Sequence, residues 1–285
     1  YPSRRSANLP DSEYELIKEW ATKTDLVAGG NGLVDFRASI PFPIPESGVE
    51  VIWNHITRYR TPQGVKRRYI QAPVHLNQVK EPRSAWVYNA GQRRVRLAPS
   101  IAYDGPGVAS DGLRTADDLD LFNGAPDRYN WELVGKKEIY IPYNAYALRR
   151  GDLKYTDIIK PGHMDPQYLR YELHRVWVVE ATLKEDARHI YARRTFYVDE
   201  DTWQIAVVDH YDGRGELWRV KEGHKVQHYQ VNVPWIAAES LHDLISGRYV
   251  VIGLDNEESG YQYDFGYVGD FDDFTPAALR RAGRR

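Results

Sequence analysis

The chain has 285 residues, of which 42% are hydrophobic, 13% aromatic and 27% charged, and its formal net charge at pH 7 is -2. This near balance gives no argument for nucleic acid or an anionic membrane as a partner, and the absence of Cys excludes disulfides, thiol nucleophiles and thiolate metal sites. No run approaches the roughly 18 apolar residues that a membrane-spanning helix needs. The 21 Tyr, 8 Trp, 22 Gly and 16 Pro favour an all-β or α+β protein over a helical bundle.

The first hundred residues are predicted to contain one helix and one clear hairpin. Apolar residues recur at helical spacing over 12–24, so a helix is expected there, packed on a sheet. The stretch 48–61 fits a helix or a strand equally well. A hairpin is predicted over 84–99, and its second strand places Arg94 and Arg96 on one face. A charged edge strand is the favoured interpretation, and an arginine row that contacts an anionic head group or a partner is the alternative.

A long segment rich in Gly, Asp and Pro follows, and the part over 101–137 is expected to cover the sheet. Short helices are predicted at 115–122 and 127–134, with a strand at 138–141. The acidic set in this segment lacks the ordering of a calcium loop, so a capped and solvated helix start is expected instead. These acidic residues are Asp111, Asp117, Asp118 and Asp120.

The stretch 168–220 predicts four consecutive antiparallel strands, around which the rest of the chain is organised. Apolar and polar residues alternate along each strand, and short polar turns separate them, including Asp212-Gly213. A fifth strand is predicted at 224–235, an amphipathic helix at 235–246, a buried strand at 249–257 and a short basic helix at the end of the chain. The predicted fold is therefore α+β, with a large curved antiparallel sheet over 84–233 and the helices 12–24 and 235–246 on its concave side.

Catalysis finds no support in the pattern of titratable residues. Glu172 and Glu180 share a strand face but lie about 26 Å apart by strand geometry, too far for a glycosidase pair. A triad of His174, Asp209 and a serine lacks the Gly-x-Ser-x-Gly turn. No paired-His zinc spacing is present. We expect no enzyme activity, no cofactor and no metal site.

A binding function is favoured because a broad sheet can hold an apolar cavity beneath helices that do not pack flush against it. The candidate residues are apolar or aromatic and lie on the predicted strands or at the start of the predicted helix. By default they are core residues, and they line a cavity only if the helices stand off the sheet. They are Trp177, Val179, Phe196, Trp203, Ile205, Trp218 and Trp235.

Four stretches carry a family resemblance: Trp86–Asp104, Asp118–Asn144, Arg170–Lys184 and Arg188–Val220. They include "YVDEDTW" followed by "YDGRGELWR". They resemble a family of Gram-negative proteins without an assigned biochemical function, described as outer-membrane lipoprotein-sorting proteins and similar to the LolA superfamily. The resemblance implies one domain over 1–285, an incomplete β-barrel around a hydrophobic cavity.

The resemblance also implies a periplasmic carrier of a lipid, an acyl chain or another apolar molecule, working beside an RND/MMPL-type exporter toward the outer membrane. Family members usually carry an export signal, expected here to be removed, and the passage Arg60–Leu76 is short beside them, which suggests that residues are absent there. The first alternative is a ligand-free module that docks an exporter or an outer-membrane protein. The second is a carbohydrate-binding or hydrolytic domain in which Trp and Tyr stack on sugar.

Overall fold

A computed structural model describes residues 26–28, 34–39, 51–59, 68–75, 79, 85–89, 93–97, 103–107, 110–257 and 275–282. The chain forms two compact units, one from residues 1–101 with 258–285 and the other from residues 102–257. The predicted helix over 12–24 lies outside the described residues. The prediction of one domain over the whole chain stays a prediction.

The first unit contains a six-stranded antiparallel meander in which each strand pairs with the next along the chain. The predicted hairpin is confirmed, and the stretch 48–61 contains a strand. Tyr88 and Leu279 are buried together in a small core, which shows that the predicted C-terminal helix packs on this sheet. The elements are β1 Leu26–Ala28, β2 Val34–Ser39, β3 Val51–Tyr59, β4 Arg68–His75, β5 Trp86–Asn89, β6 Arg94–Leu97 and the helix Pro276–Ala282.

The second unit is built on a seven-stranded antiparallel sheet of order β15-β14-β13-β12-β11-β10-β7. The four predicted central strands are confirmed as β10 to β13, and the sheet is unclosed, as predicted. A two-stranded ribbon, β8 with β9, stands apart from it. The strands are β7 Tyr129–Pro142, β8 Ile159–Lys160, β9 His163–Met164, β10 Tyr171–Leu183, β11 Arg193–Asp199, β12 Ile205–Tyr211, β13 Leu217–His228, β14 Val233–Asp243 and β15 Tyr249–Ile252.

Three predicted elements of this unit are wrong. The stretch 235–246, predicted as a helix, lies mostly in β14, and the predicted fifth strand over 224–235 is divided by a turn between β13 and β14. The predicted helix at 127–134 becomes the start of β7. β14 is largely buried on both faces, so its apolar residues do not alternate with polar ones, and their spacing imitates a helical stripe. The predicted sheet over 84–233 is also two sheets, because the hairpin β5–β6 pairs with β4.

Register shifts mark several strand pairs of the large sheet, between β7 and β10, β11 and β12, β12 and β13, and β13 and β14. Such irregularities bend strands and increase their twist, which agrees with the curvature expected from the sequence. The apolar core of this unit forms three clusters, and all their members lie within residues 121–254. The cavity itself stays a prediction.

Two segments of the described chain, both without long helices, cover the sheet. The first contains the 3₁₀ helices Ala116–Leu121 and Pro126–Arg128, and Leu121 packs in the core of the sheet. The second joins β7 to β10, and its buried Leu148 and Ile158 pack with Tyr249 and Val251 of β15. It contains the short helices Tyr146–Arg149, Tyr155–Ile158 and Pro166–Tyr168. The expected covering role of 101–137 therefore applies only up to the start of β7.

Within the part of the chain that the structure describes, we find no helix whose length and hydropathy would let it span a membrane.

Candidate ligand-binding face

Strand register places most of the predicted binding residues on one face of the seven-stranded sheet. Trp177 is opposite Val198, and Val198 is opposite Ile205. Val179 is opposite Phe196 in the next row. Because cross-strand partners point to the same side of a sheet, these side chains share a face, which we name the Trp177 face.

The apolar half of the Trp177 face is well packed under the first covering segment. Phe122 of that segment makes an edge contact with Phe196 at 5.4 Å between ring centroids, and Trp131 of β7 stacks on the same ring at 5.5 Å. The buried members of this cluster are Leu121, Tyr129, Ala181, Phe196, Val198, Ile205 and Val208. Phe196 and Ile205 are thus buried core residues.

Toward strand β7 the same face becomes exposed to solvent. Trp131 is 39% exposed, Leu133 62% and Trp203 58%. Trp203 stacks on Trp177 at 6.4 Å, and Leu133 is the cross-strand partner of Val179. These five residues form a partly uncovered apolar surface, the Trp203 patch, that is continuous with the core. Single exposed apolar residues are ordinary, whereas a connected group marks a binding surface.

The opposite half of the Trp177 face carries buried charges. Arg194 is opposite His210, and His210 is opposite Arg219. Arg194 is fully buried and donates from Nη2 to Oδ2 of Asp117 at 2.8 Å. Its Nη1 lies 4.0 Å from Oδ1 of Asp118. Two buried carboxylates of the covering segment therefore sit directly over the guanidinium group.

Two histidines and a tyrosine complete the contacts of these carboxylates. His189 lies 3.2 Å from Asp117, and His210 lies 3.2 Å from Asp118. Tyr191 donates its hydroxyl hydrogen bond to Asp118 at 3.2 Å. Every one of these side chains comes from a different part of the chain than the carboxylate it contacts, so the network fastens the covering segment to the sheet.

The network continues along β13 and β14. Arg219 pairs with Asp243 at 3.0 Å, and Lys221 pairs with Glu239 at 2.6 Å. Glu239 also accepts a hydrogen bond from the backbone N–H of Asp120 at 3.0 Å. This hydrogen bond again joins the covering segment to the sheet.

The pKa shifts in the network follow from burial and from neighbouring charge. Burial opposes ionisation of Asp118, but the charge and hydrogen bond of His210 and the charge of Arg194 lower its pKa well below the usual range. The pKa of Asp117 is also lowered, because Arg194 and His189 outweigh the effect of burial. Burial lowers the pKa of His210 in spite of Asp118. Burial raises the pKa of Tyr191 well above its ordinary value.

This network is not predicted from the sequence. Asp117 and Asp118 were expected on a solvated helix start, and this is wrong because both are buried. The predicted capping is present, since the backbone N–H of Thr115 donates to Asp118 at 3.1 Å. Charged residues at alternate strand positions usually indicate a wet face. Nothing in the sequence separates them from buried residues until the strands are paired.

The remaining predicted residues lie elsewhere. Trp218 belongs to the polar half, where its Nε1 donates to Asp243 at 3.0 Å. Trp235 is half-buried at the start of β14, opposite Val226. Arg94 and Arg96 are exposed on β6 of the other unit. That these residues line a cavity or meet a head group stays a prediction.

In the described part of the chain, no contact joins His174 to Asp209, the two named members of the triad. His174 lies 3.5 Å from Glu172 and 3.5 Å from Asp199. Asp209, which the triad would need, instead accepts a hydrogen bond from Tyr197 at 3.0 Å.

A protein-family model described as "Protein of unknown function (DUF1329)" matches residues 1–77 and 74–280 of the chain. The chain belongs to this family. A relative of this chain from Pseudomonas aeruginosa, the "Uncharacterized protein PA3922", is 52% identical over 339 residues, covering 100% of this chain and 74% of its own length. Because this chain has 285 residues, that relative carries additional residues within the aligned region.

Solved structures show the fold of this DUF1329 chain. A domain from Vibrio parahaemolyticus, solved as a proposed outer membrane lipoprotein-sorting protein domain, superposes with a TM-score of 0.54 at 12% identity, covering 94% of this chain and 97% of that one. A DUF1329 protein from Desulfovibrio piger gives a TM-score of 0.49 at 13% identity, covering 94% and 98%. The LolA superfamily protein NE2245 from Nitrosomonas europaea gives 0.39 at 12% identity, covering 89% and 90%. The fold assignment rests on the first of these.

Proposed function

We propose that this protein binds and carries a hydrophobic molecule, such as a lipid or a lipoprotein acyl chain, in the periplasm of a Gram-negative bacterium, and that it is not an enzyme. Work beside an RND-type exporter toward the outer membrane, which the family resemblance implies, belongs to the same proposal. The fold likeness to a domain named for lipoprotein sorting supports the proposal.

The single observation that carries the proposal is the Trp203 patch. Its aromatic side chains continue the packed core of the Trp177 face outward to solvent on one side of the sheet. An apolar chain laid on this surface would bury Trp203 and Leu133 without any rearrangement of the core. Covering about 200 Å² of apolar surface contributes about 5 kcal/mol at 25 cal/mol per Å², which is enough for a reversible guest.

Lys136 adds a polar end to the patch. Its Nζ lies 4.3 Å from the centroid of the Trp177 ring and 2.7 Å from Oε2 of Glu200. A cation at the edge of an apolar surface suits an amphiphile that has an anionic head group. A fatty acid is therefore a suitable first probe.

The test measures displacement of a fluorescent fatty acid from the purified protein and compares Trp203→Asp with wild type. Trp203 has a positive φ of 56°, a conformation that Asp adopts more readily than most residues, so the variant is expected to fold. The expected result is a loss of affinity of at least tenfold. The matched control is Ile245→Asp, which adds the same charge at another exposed apolar residue, in the turn between β14 and β15.

Native mass spectrometry with lipid extraction would identify any guest that purifies with the protein. Normal fatty-acid binding by a folded Trp203→Asp variant would contradict the patch as the binding surface.

A ligand-free docking module is the second candidate. The observation in its favour is β6, an edge strand in the order of the six-stranded sheet, on which Arg94, Arg96 and Leu97 are exposed. A mass without any guest, together with no binding of the fluorescent fatty acid, would favour this candidate.

A further inference from the structure

A histidine and two aspartates converge at the end of strand β11, on the side of the sheet away from the Trp203 patch. His174 comes from β10, Asp199 ends β11, and Asp201 lies in the turn that follows. Each can offer one ligand atom, and the three atoms lie within 4.8 Å of one another. Nδ1 of His174 is 3.5 Å from Oδ1 of Asp199 and 3.8 Å from Oδ2 of Asp201.

Asp199 presents an unused oxygen to this cluster. Its side chain is 0% exposed, and Oδ1 has no hydrogen-bond partner in the described part of the chain. The other oxygen, Oδ2, accepts hydrogen bonds from Thr202 at 2.6 Å and from Lys225 at 2.9 Å. A buried carboxylate oxygen without a partner is costly, and this one is directed at His174.

The imidazole ring of His174 is oriented from its other side. Nε2 lies 3.5 Å from Oε2 of Glu172, and the ring of Tyr143 stacks on the imidazole at 4.1 Å between centroids. A hydrogen on Nε2 directed at Glu172 leaves the lone pair of Nδ1 facing the two aspartates. A carboxylate behind a ligating histidine is the usual arrangement that fixes both tautomer and ring direction at metal sites.

We propose that His174, Asp199 and Asp201 bind a divalent transition-metal ion, for which Zn²⁺ is the test ion. Ligand bonds of about 2.1 Å in tetrahedral geometry place donor atoms about 3.4 Å apart, close to the 3.5 Å and 3.8 Å that separate Nδ1 of His174 from the two aspartate oxygens. One imidazole nitrogen with two carboxylate oxygens leaves a fourth position, and Asp201, whose side chain is 69% exposed, leaves that position open to water.

The charge around the site tolerates a dication. Lys225 contacts only Oδ2 of Asp199 within the cluster, so Oδ1 stays free to bind the ion. Asp199, Asp201 and the nearby Glu172 supply three negative charges. Two positive charges face them, Lys225 at Asp199 and Arg170, whose Nε donates to Oε1 of Glu172 at 2.7 Å. The cluster therefore keeps a net negative charge, which favours the binding of a dication.

Bound metal would fix the turn that presents Trp203. The backbone N–H of Trp203 donates to the carbonyl of Asp199 at 2.9 Å, and Asp199 is itself a proposed ligand. The ion would thus tie β10 to this turn, independently of whether Trp203 contacts a lipid. From the sequence alone no metal site is expected, because the histidine precedes the aspartates by more than twenty positions and a short zinc spacing is lacking.

The experiment titrates Zn²⁺ into the full chain, prepared without a histidine tag and treated with a chelator, by isothermal calorimetry. Mg²⁺, which prefers an all-oxygen shell, serves as the ion control. We expect one equivalent of Zn²⁺ to bind, and substitution of Co²⁺ to give the visible absorption of a tetrahedral nitrogen and oxygen site. Asp201→Asn and His174→Gln should each weaken Zn²⁺ binding by at least about tenfold.

The matched control is Glu200→Gln, which removes a negative charge at the position between Asp199 and Asp201 in the sequence. Glu200 points elsewhere and pairs with Lys136 and Arg175 at 2.7 Å each, so this variant should keep the wild-type affinity for Zn²⁺. Circular dichroism of each metal-free variant checks the fold. Absence of a saturable equivalent, or equal losses in Asp201→Asn and Glu200→Gln, would overturn the proposal.

Discussion

Several charged residues in the polar half of the Trp177 face are buried, although charged side chains usually lie at the protein surface. Arg194, Asp117 and Asp118 are all buried, and burying ions is costly unless each has a partner. Here each ion has one, and the partners belong to separate elements, the sheet and its cover. A buried ion pair adds little stability compared with apolar packing. It does, however, disfavour any other placement of the covering segment, because such a placement would leave a buried charge without its partner.

His224 makes the stability of the protein depend on pH. It is fully buried, and burial, followed by repulsion from His242, lowers its pKa to about 4. An unfolded histidine has a pKa of about 6.5, so between these values the unfolded chain binds a proton that the folded chain does not. We therefore expect the free energy of unfolding to fall as pH falls from about 6.5 to 4, by up to about 1.4 kcal/mol per pH unit.

The measurement is urea unfolding at several pH values for wild type and His224→Gln. In His224→Gln, the free energy of unfolding should depend less on pH between about 4 and 6.5. Above about pH 6.5, the difference in this free energy between the variant and wild type should be constant. Glu222 lies 3.9 Å from His224 and has a raised pKa because of burial, so its own contribution has the opposite sign and is present in both proteins. Replacement of the exposed His163 by Gln is the control, and equal slopes in all three proteins would contradict the prediction.

At the scale of elements, the first covering segment depends on a glycine. A Cβ atom on Gly124 would lie 2.6 Å from Cβ of Asp117. That atom is next to the backbone and cannot rotate away, and Asp117 is held by Arg194. Gly124→Ala should therefore destabilise the protein by about 1–3 kcal/mol, as overpacking does.

Gly151→Ala is the matched substitution, because a Cβ atom there would meet nothing within 4 Å. It should change the free energy of unfolding by about 0.5 kcal/mol or less. Thermal unfolding followed by circular dichroism compares the two variants. A Gly124→Ala protein as stable as Gly151→Ala would show that the covering segment shifts freely.

The predictability of each element follows from how its two faces are buried. β10 was predicted because a polar residue alternates with an apolar one along most of its length. β14 was mistaken for a helix because most of its residues are buried on both sides. β7 was mistaken at its start because its exposed apolar residues, including Leu133 and Val134, follow no alternation. Apolar and polar residues alternate along a strand that has one buried face and one face in solvent. A strand whose two faces are alike lacks this alternation and is harder to recognise.

At the scale of the molecule, the unit of residues 102–257 has all the parts of an independent domain. Among the residues that the structure describes, all members of its three core clusters lie inside this range. A fragment of residues 102–257 should therefore unfold cooperatively in urea, with the far-UV spectrum of a β protein. A fragment without a cooperative transition would contradict this, and would show that the other unit is needed for folding.

Part of each candidate site is predictable from the sequence, and part of it depends on how the strands pair. Period-two alternation was enough to place Trp177, Val179 and Phe196 on one face. Contacts such as Asp117 with Arg194 join positions far apart in the chain. The His174 cluster likewise needs β10 paired with β11 before its members become neighbours. A single sequence carries the local pattern and not the pairing.

The position of β7 at the end of the strand order has a consequence for solubility. It is a 14-residue strand with only one partner strand among the described residues, and long free edges with apolar side chains promote aggregation. Lys136 and Lys137 lie midway along it, and a register shift that leaves Val134 unpaired interrupts its regular pairing. Charge and irregularity at an edge discourage a second molecule from adding a strand. The charged and irregular edge therefore lets the Trp203 patch stay open to solvent without edge-to-edge pairing of two sheets.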